Sequence, residues 1–143
     1  MPTITSDGQS LSIDGRRLWL VSGVVHYART PRGLWGARLS AARDAGFNCI
    51  EVPVPWARHE PRSGVFDFKD ENDLPEFIRM IGALGMHCIV RAGPYIGDGY
   101  DLGGLPSWLM PISGDRLRSG APEYLQACSR YISALCAQLK DLQ

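Results

Sequence analysis

The 143 residues are 45% hydrophobic and 21% charged, the balance of a globular chain with enough length to bury a core as one ordinary domain. Fifteen Lys and Arg offset fifteen Asp and Glu, so no net field draws in nucleic acid or an anionic membrane. Residues 1–7 lack the basic and apolar regions of a secretory leader, and no apolar run nears the ~20 residues of a membrane span. As written, the chain is expected to be cytoplasmic.

The opening segment predicts a short β element around Asp14-Gly15, a strong turn dipeptide. Residues 18–23 then read as a short apolar run suited to a buried strand. A helix is expected from about residue 34 to 45, with Leu34, Ala37, Ala41 and Ala45 on one face and Trp35 and Leu39 beside it. Gly46 suits its C-terminal stop, because glycine enters the left-handed region without steric cost.

A second strand is expected over residues 48–54, brought to a stop by Pro53 and Pro55. Residues 56–69 read as a loop. The spacing of Leu74, Phe77, Ile78, Ile81 and Leu84 predicts an amphipathic helix, with Asn72 as its N-cap, Pro75 in the first turn and Gly85 at its end. Residues 86–91 form a third strand and residues 93–120 a long loop. The last helix starts at Pro122, a good first helical residue. Its stripe of Tyr124, Cys128, Tyr131, Leu135, Leu139 and Leu142 reads as core packing.

Two segments echo each other 39 residues apart, around Cys49 and Cys88: a helix ends in glycine and feeds an apolar strand. Strands alternating with helices predict a parallel sheet with right-handed crossovers. Three such units fit an open α/β sheet or part of a (β/α)₈ barrel, which needs ~250 residues. The four cysteines, Cys49, Cys88, Cys128 and Cys136, form no C-x-x-C pair. They read as buried thiols, with metal binding not expected and no disulfide required.

Four stretches carry more information. Ser-Gly-Val-Val-His-Tyr-Ala-Arg (22–29) follows the first strand. Val-Pro-Trp-Ala-Arg-His-Glu-Pro (54–61) follows the second and leads to Gly-Val-Phe-Asp-Phe (64–68). Arg-Ala-Gly-Pro-Tyr-Ile (91–96) follows the third, then Gly-Gly-Leu-Pro-Ser-Trp-Leu (103–109). Each resembles a signature of glycoside hydrolase family 35, in the same order and spacing from about residue 8 to the end.

That resemblance implies an α/β fold: a partial TIM (β/α)₈ barrel, about the first three βα units preceded by a short β element, with residues 1–143 as one incomplete catalytic domain. It implies a retaining β-galactosidase-type hydrolase acting on β-galactosides. Retaining chemistry uses two carboxyl groups ~5–5.5 Å apart. The resemblance places both glutamates after strands four and seven, beyond residue 143, so no catalytic residue is expected here, and no metal or organic cofactor. A non-catalytic carbohydrate-binding or interaction module, self-associating through an open sheet edge, is the alternative, as is a truncated inactive product.

Trp56, Tyr95, Asp98 and Asp101 are the expected substrate-binding residues: rings for sugar faces, carboxylates for hydroxyls. The pattern departs from the family at Gly97-Asp98-Gly99-Tyr100, where Cys-Ala-Glu-Trp is common, at Pro53 in place of a sugar-contacting tyrosine, and at Ala57 in place of asparagine. Other polar residues have structural readings. His26 would bridge backbone groups, His59 and Glu60 would fix their loop, and Arg91 would pair with Glu51. The glycines of 103–106 would hold Trp108 in place.

Overall fold

A computed structural model describes residues 2–143. Asp14 (φ 50°) and Gly15 (φ 75°) both occupy the left-handed region, as a tight two-residue hairpin turn demands. They join β2 (Leu11–Ile13) to β3 (Arg16–Leu18), and β1 (Ile4–Ser6) pairs antiparallel with β2 on its other side. Leu18 closes this hairpin, and the next strand, β4 (Ser22–Val24), belongs to a second sheet. Residues 18–23 are therefore not one buried strand, and Trp19 between the two sheets is 83% exposed. A short apolar run carries no periodicity that marks where one sheet ends.

The second sheet is parallel, in the order β4, β5 (Cys49–Pro53), β6 (His87–Arg91). Helix α1 (Trp35–Asp44) leads from β4 to β5. Its inward side chains are Trp35 and Leu39, both fully buried, while Leu34, Ala37, Ala41 and Ala45 face solvent. The expected face is thus reversed in weight, because one indole and one leucine bury more apolar area than a row of alanines. Gly46 (φ 93°) ends the helix as expected.

After β5 the chain does not enter a plain loop. Trp56–His59 forms a helical turn, α2. Helix α3 (Leu74–Ala83) buries Leu74, Phe77, Ile78 and Ile81 of the predicted stripe, while Leu84 caps its end and is partly buried. Its cap is Asp73, whose carboxylate accepts the Glu76 amide at 3.0 Å. Asn72 instead donates its side-chain amide to Asp67 at 2.8 Å. The loop after β6 is wound into short helical turns, including α4 (Met110–Ser113), before α5 (Pro122–Leu139).

Alternation along the strands gives the parallel sheet two unlike faces. Ile50 and Val52 pack into the core with Trp35, Leu39, Phe77 and Ile81. In register on the opposite face lie Val24, Glu51 and Ile89, with Val24 51% and Ile89 43% exposed. Tyr131 of α5 is buried, and its hydroxyl donates to the Ala92 carbonyl at 2.9 Å, fixing α5 to the tip of β6. The cysteines are all free thiols, but they are not all buried as expected: Cys49 is, Cys88 and Cys128 are partly so, and Cys136 is exposed. Among the described residues, no helix is long and apolar enough to cross a membrane.

Candidate functional site at the strand tips

The carboxyl ends of β4, β5 and β6 bring polar side chains together. Arg91, the last residue of β6, sits between two acids. Its Nε lies 2.8 Å from Glu51 Oε1, the pairing expected from sequence, and its two terminal nitrogens bond both oxygens of Asp98. Gly97, Asp98 and Gly99 all have positive φ, 72°, 54° and 65°. This run of left-handed residues turns the chain back so that Asp98 reaches Arg91. His26, two residues beyond β4, brings Nε2 to 3.9 Å from Asp98 Oδ2.

Tyr100 completes the cluster. Its ring lies 5.9 Å from that of His26, and the Arg29 guanidinium covers it at 3.8 Å. Arg29 also donates to the Gly99 carbonyl at 2.8 Å. Three buried atoms here make no hydrogen bond among the described residues: His26 Nδ1, the Tyr100 hydroxyl and Arg91 Nε, which meets Glu51 only as an ion pair. His26 therefore does not bridge backbone groups through its ring. Burial first, then the Arg29 charge, holds its imidazole below the usual pKa, while burial pushes the Tyr100 phenol up.

The four expected substrate contacts are placed differently. Asp98 joins the cluster. Asp101 is exposed and forms no ion pair among the described residues. Tyr95 is 44% exposed but faces α5, with Arg118 over its ring at 4.0 Å. Both line a cavity of about 620 Å³ with Tyr124, Cys128 and Ile132. Trp56 is fully buried. Its ring stacks on Tyr131 at 4.7 Å and meets the edge of Trp108 at 5.7 Å, and its Nε1 donates to Glu60 at 2.6 Å. No face of Trp56 is left for a sugar, which corrects the expectation for that residue.

His59 and Glu60 fix their loop, as read from sequence. Both are fully buried. The Tyr27 hydroxyl donates to His59 Nε2, whose Nδ1–H reaches the Asp67 carbonyl at 2.8 Å. Burial pulls the His59 pKa down to about 4, so the ring is neutral. Glu60 accepts from Trp56, from the Gly64 amide at 2.7 Å and from Arg130 at 3.0 Å. Its carbonyl accepts Trp108 Nε1 at 2.8 Å, so the 103–109 segment does hold Trp108 against this loop.

Arg29 and Tyr100 were not singled out by residue type. Nothing in the sequence shows that a guanidinium will settle on a ring 71 positions away. Chemically, the cluster can orient and hydrogen-bond a polyol. Its carboxylates, Glu51 and Asp98, are both engaged by one guanidinium, so it offers no free acid and nucleophile. Among the described residues, no group of three or more His, Cys, Asp or Glu is placed to hold a metal ion.

Comparison with known proteins gives this geometry a family. The chain is 41% identical over 129 residues to a β-galactosidase of Canis lupus familiaris, covering 90% of this chain and 19% of the relative. It is 38% identical over 141 residues to a β-galactosidase of Xanthomonas manihotis, covering 99% and 24%. It thus spans about a fifth to a quarter of these curated relatives. Among solved structures, the exo-β-1,4-mannosidase Op5Man5 of Opitutaceae bacterium strain TAV5 matches at a TM-score of 0.69 with 20% identity, over 89% of this chain and 23% of that one, a likeness of fold. A β-galactosidase of Halorubrum lacusprofundi matches at 0.52 with 26% identity, over 72% and 14%. The model of glycosyl hydrolases family 35 matches residues 10–143, nearly the whole length that carries these strands and their tips, and the chain belongs to that family.

Proposed function

We propose that the chain is the amino-terminal part of a retaining β-galactosidase-type hydrolase, its three βα units forming the start of a (β/α)₈ barrel. The observation that carries this reading is the cluster of His26, Glu51, Arg91, Asp98 and Tyr100 at the carboxyl ends of three adjacent parallel strands. Barrel enzymes build their sites on that rim. The open sheet face supports the barrel: Val24, Glu51 and Ile89 form one level across three strands, a layer that becomes interior when further strands close the ring.

In this reading His26, Asp98 and Tyr100 line the subsite for the non-reducing sugar, a β-galactoside. Arg91 is a positioning residue that holds Asp98. Asp101, further along the same loop, and the half-exposed Tyr95, before Asp98, contact the outer part of the glycoside. Trp56 stiffens the rim from beneath. The acid/base and nucleophile, two carboxyls ~5–5.5 Å apart in retaining enzymes, come from polypeptide outside these residues.

The test compares two chains on 4-nitrophenyl β-D-galactoside. Residues 1–143 alone should show no turnover. A chain continued through the downstream coding sequence should hydrolyse it with retention at the anomeric carbon. Hydrolysis by the 143-residue chain, or no activity in the longer one, would contradict the proposal. A second reading, a sugar-binding module that self-associates across the β6 edge, is favoured by the exposure of Ile89 beside it. It requires a dimer in sedimentation at micromolar concentration.

A further inference from the structure

The turn that presents Asp98 is built from permissive backbone. Gly97, Asp98 and Gly99 are left-handed in succession, a conformation that glycine enters and leaves freely and that an aspartate adopts at a cost. The Tyr100 amide donates to the Gly97 carbonyl at 3.0 Å, and the Gly103 amide donates to the Tyr100 carbonyl at 2.9 Å. Arg91 grips Asp98 by its carboxylate. That fixes the end of the side chain and leaves the backbone after it to be held by something else.

Arg29 supplies that hold from another strand tip. It ends the helical turn Tyr27–Arg29 that follows β4, and that turn is anchored from beneath. Tyr27 is fully buried with its hydroxyl on His59. The Arg29 amide donates to the His26 carbonyl at 3.0 Å, and Trp35 Nε1 donates to the Thr30 carbonyl at 2.8 Å. From this base the Arg29 side chain crosses to the third tip. Its Nη2 donates to the Gly99 carbonyl at 2.8 Å, and its guanidinium lies 3.8 Å from the centre of the Tyr100 ring. The two residues that Arg29 holds are thus the two that follow Asp98. The flanking carboxylates take no part: Asp98 pairs with Arg91 and His26, while Asp101 is exposed and enters no ion pair among the described residues.

We propose that Arg29 is a positioning residue of the sugar site: through the Gly99 carbonyl and the Tyr100 ring it holds the left-handed turn in the shape that sets Asp98 beside His26. Those two side chains approach to 3.9 Å, yet they come from the tips of β4 and β6, which do not pair with each other. Arg29 follows His26 within one helical turn and touches the residue after Asp98, so it ties the two tips together across β5. A guanidinium suits both contacts at once, because its edge bonds a carbonyl while its face stacks on a ring. This inference rests on the rim being a sugar site and adds a residue that acts on the sugar only through its neighbours.

Calorimetry with methyl β-D-galactoside and amide hydrogen exchange, on the natural chain and on Arg29→Met, test it together. Arg29 is exposed, and methionine keeps most of its reach while losing the charge and the donors. Affinity should fall by about fivefold or more, the order expected when one cation–π contact and one charge-assisted bond are lost. Exchange at the Tyr100 and Gly103 amides should quicken by about tenfold, while Ile50 and Val52 in β5 keep their natural rates. Natural affinity in Arg29→Met would overturn the positioning role and leave the galactoside reading in place. Weaker binding with natural exchange would mean that Arg29 touches the sugar itself. Quicker exchange throughout the parallel sheet would mean that it serves stability in general. Either result overturns the role, and no sugar binding by the natural chain would overturn both this inference and the reading beneath it.

Discussion

The loops after β5 and after β6 both begin at strand tips, and both hold an aromatic ring, a carboxylate and an arginine, yet they use them in opposite ways. In the first, Trp56, His59 and Glu60 are fully buried and the polar side-chain atoms of all three have partners within the protein. In the second, Asp98 and Tyr100 are only partly buried, and the Tyr100 hydroxyl has no partner among the described residues. A polar side chain satisfied inside its own loop fixes structure. One held in place but left with spare hydrogen-bonding capacity is available to a ligand.

This contrast can be broken most sharply at Glu60. Glu60→Ala strips Trp56, Gly64 and Arg130 of their shared acceptor, and a buried donor left without its acceptor costs roughly 2 kcal/mol. Urea denaturation should show that loss. A change below about 1 kcal/mol, within the range of ordinary surface substitutions, would mean that the loop after β5 is not held as described.

His59 makes the same point through pH. Its ring is held neutral in the fold, its pKa pulled to about 4 by burial, against about 6.5 in an unfolded chain. As pH falls the unfolded chain takes up the proton first. The stability from this group is complete above pH ~6.5 and is lost between there and pH ~4, by roughly 3 kcal/mol. His26, also lowered by burial, adds loss of the same sign. Denaturation at pH 7 and pH 5 should show the fall in the natural chain and a smaller one in His59→Phe. Equal slopes in the two would contradict it.

The loop after β6 should respond at its glycine. At Gly103, φ is 64° and a Cβ would lie 1.9 Å from the Tyr95 ring. Gly103→Ala should displace that ring and cost roughly 2 kcal/mol of stability, read by thermal melting. Asp101→Asn, at an exposed carboxylate, should change stability by no more than about 0.5 kcal/mol. A larger loss would show that Asp101 is part of the framework.

Glycines were the most legible feature of the sequence. Gly15, Gly46 and Gly85 each take the positive φ that their turn or helix end requires, and the Arg91–Glu51 pair follows from adjacent strand ends of opposite charge. The face of α1 was not legible. Its alanines spread around the helix, and only packing shows that Trp35 and Leu39 are the inward residues. Trp56 misled for a related reason: an indole beside polar loop residues suits a sugar platform or a core anchor equally. The deciding contact, Tyr131, is 75 positions away on α5. The cluster of His26, Arg29 and Tyr100 depends on three left-handed residues in succession, Gly97 to Gly99, which local propensity does not specify at Asp98.

The central claim is that these strand tips hold the sugar, and backbone amide shifts report on it residue by residue. Titration of the ¹⁵N-labelled chain with methyl β-D-galactoside should move the amides of His26, Arg29, Asp98, Gly99 and Tyr100 and leave those of Trp56, Ile13 and His87 in place. Shifts confined to Ile13 and His87, at the opposite end of the strands, or no shifts at saturating sugar, would contradict it.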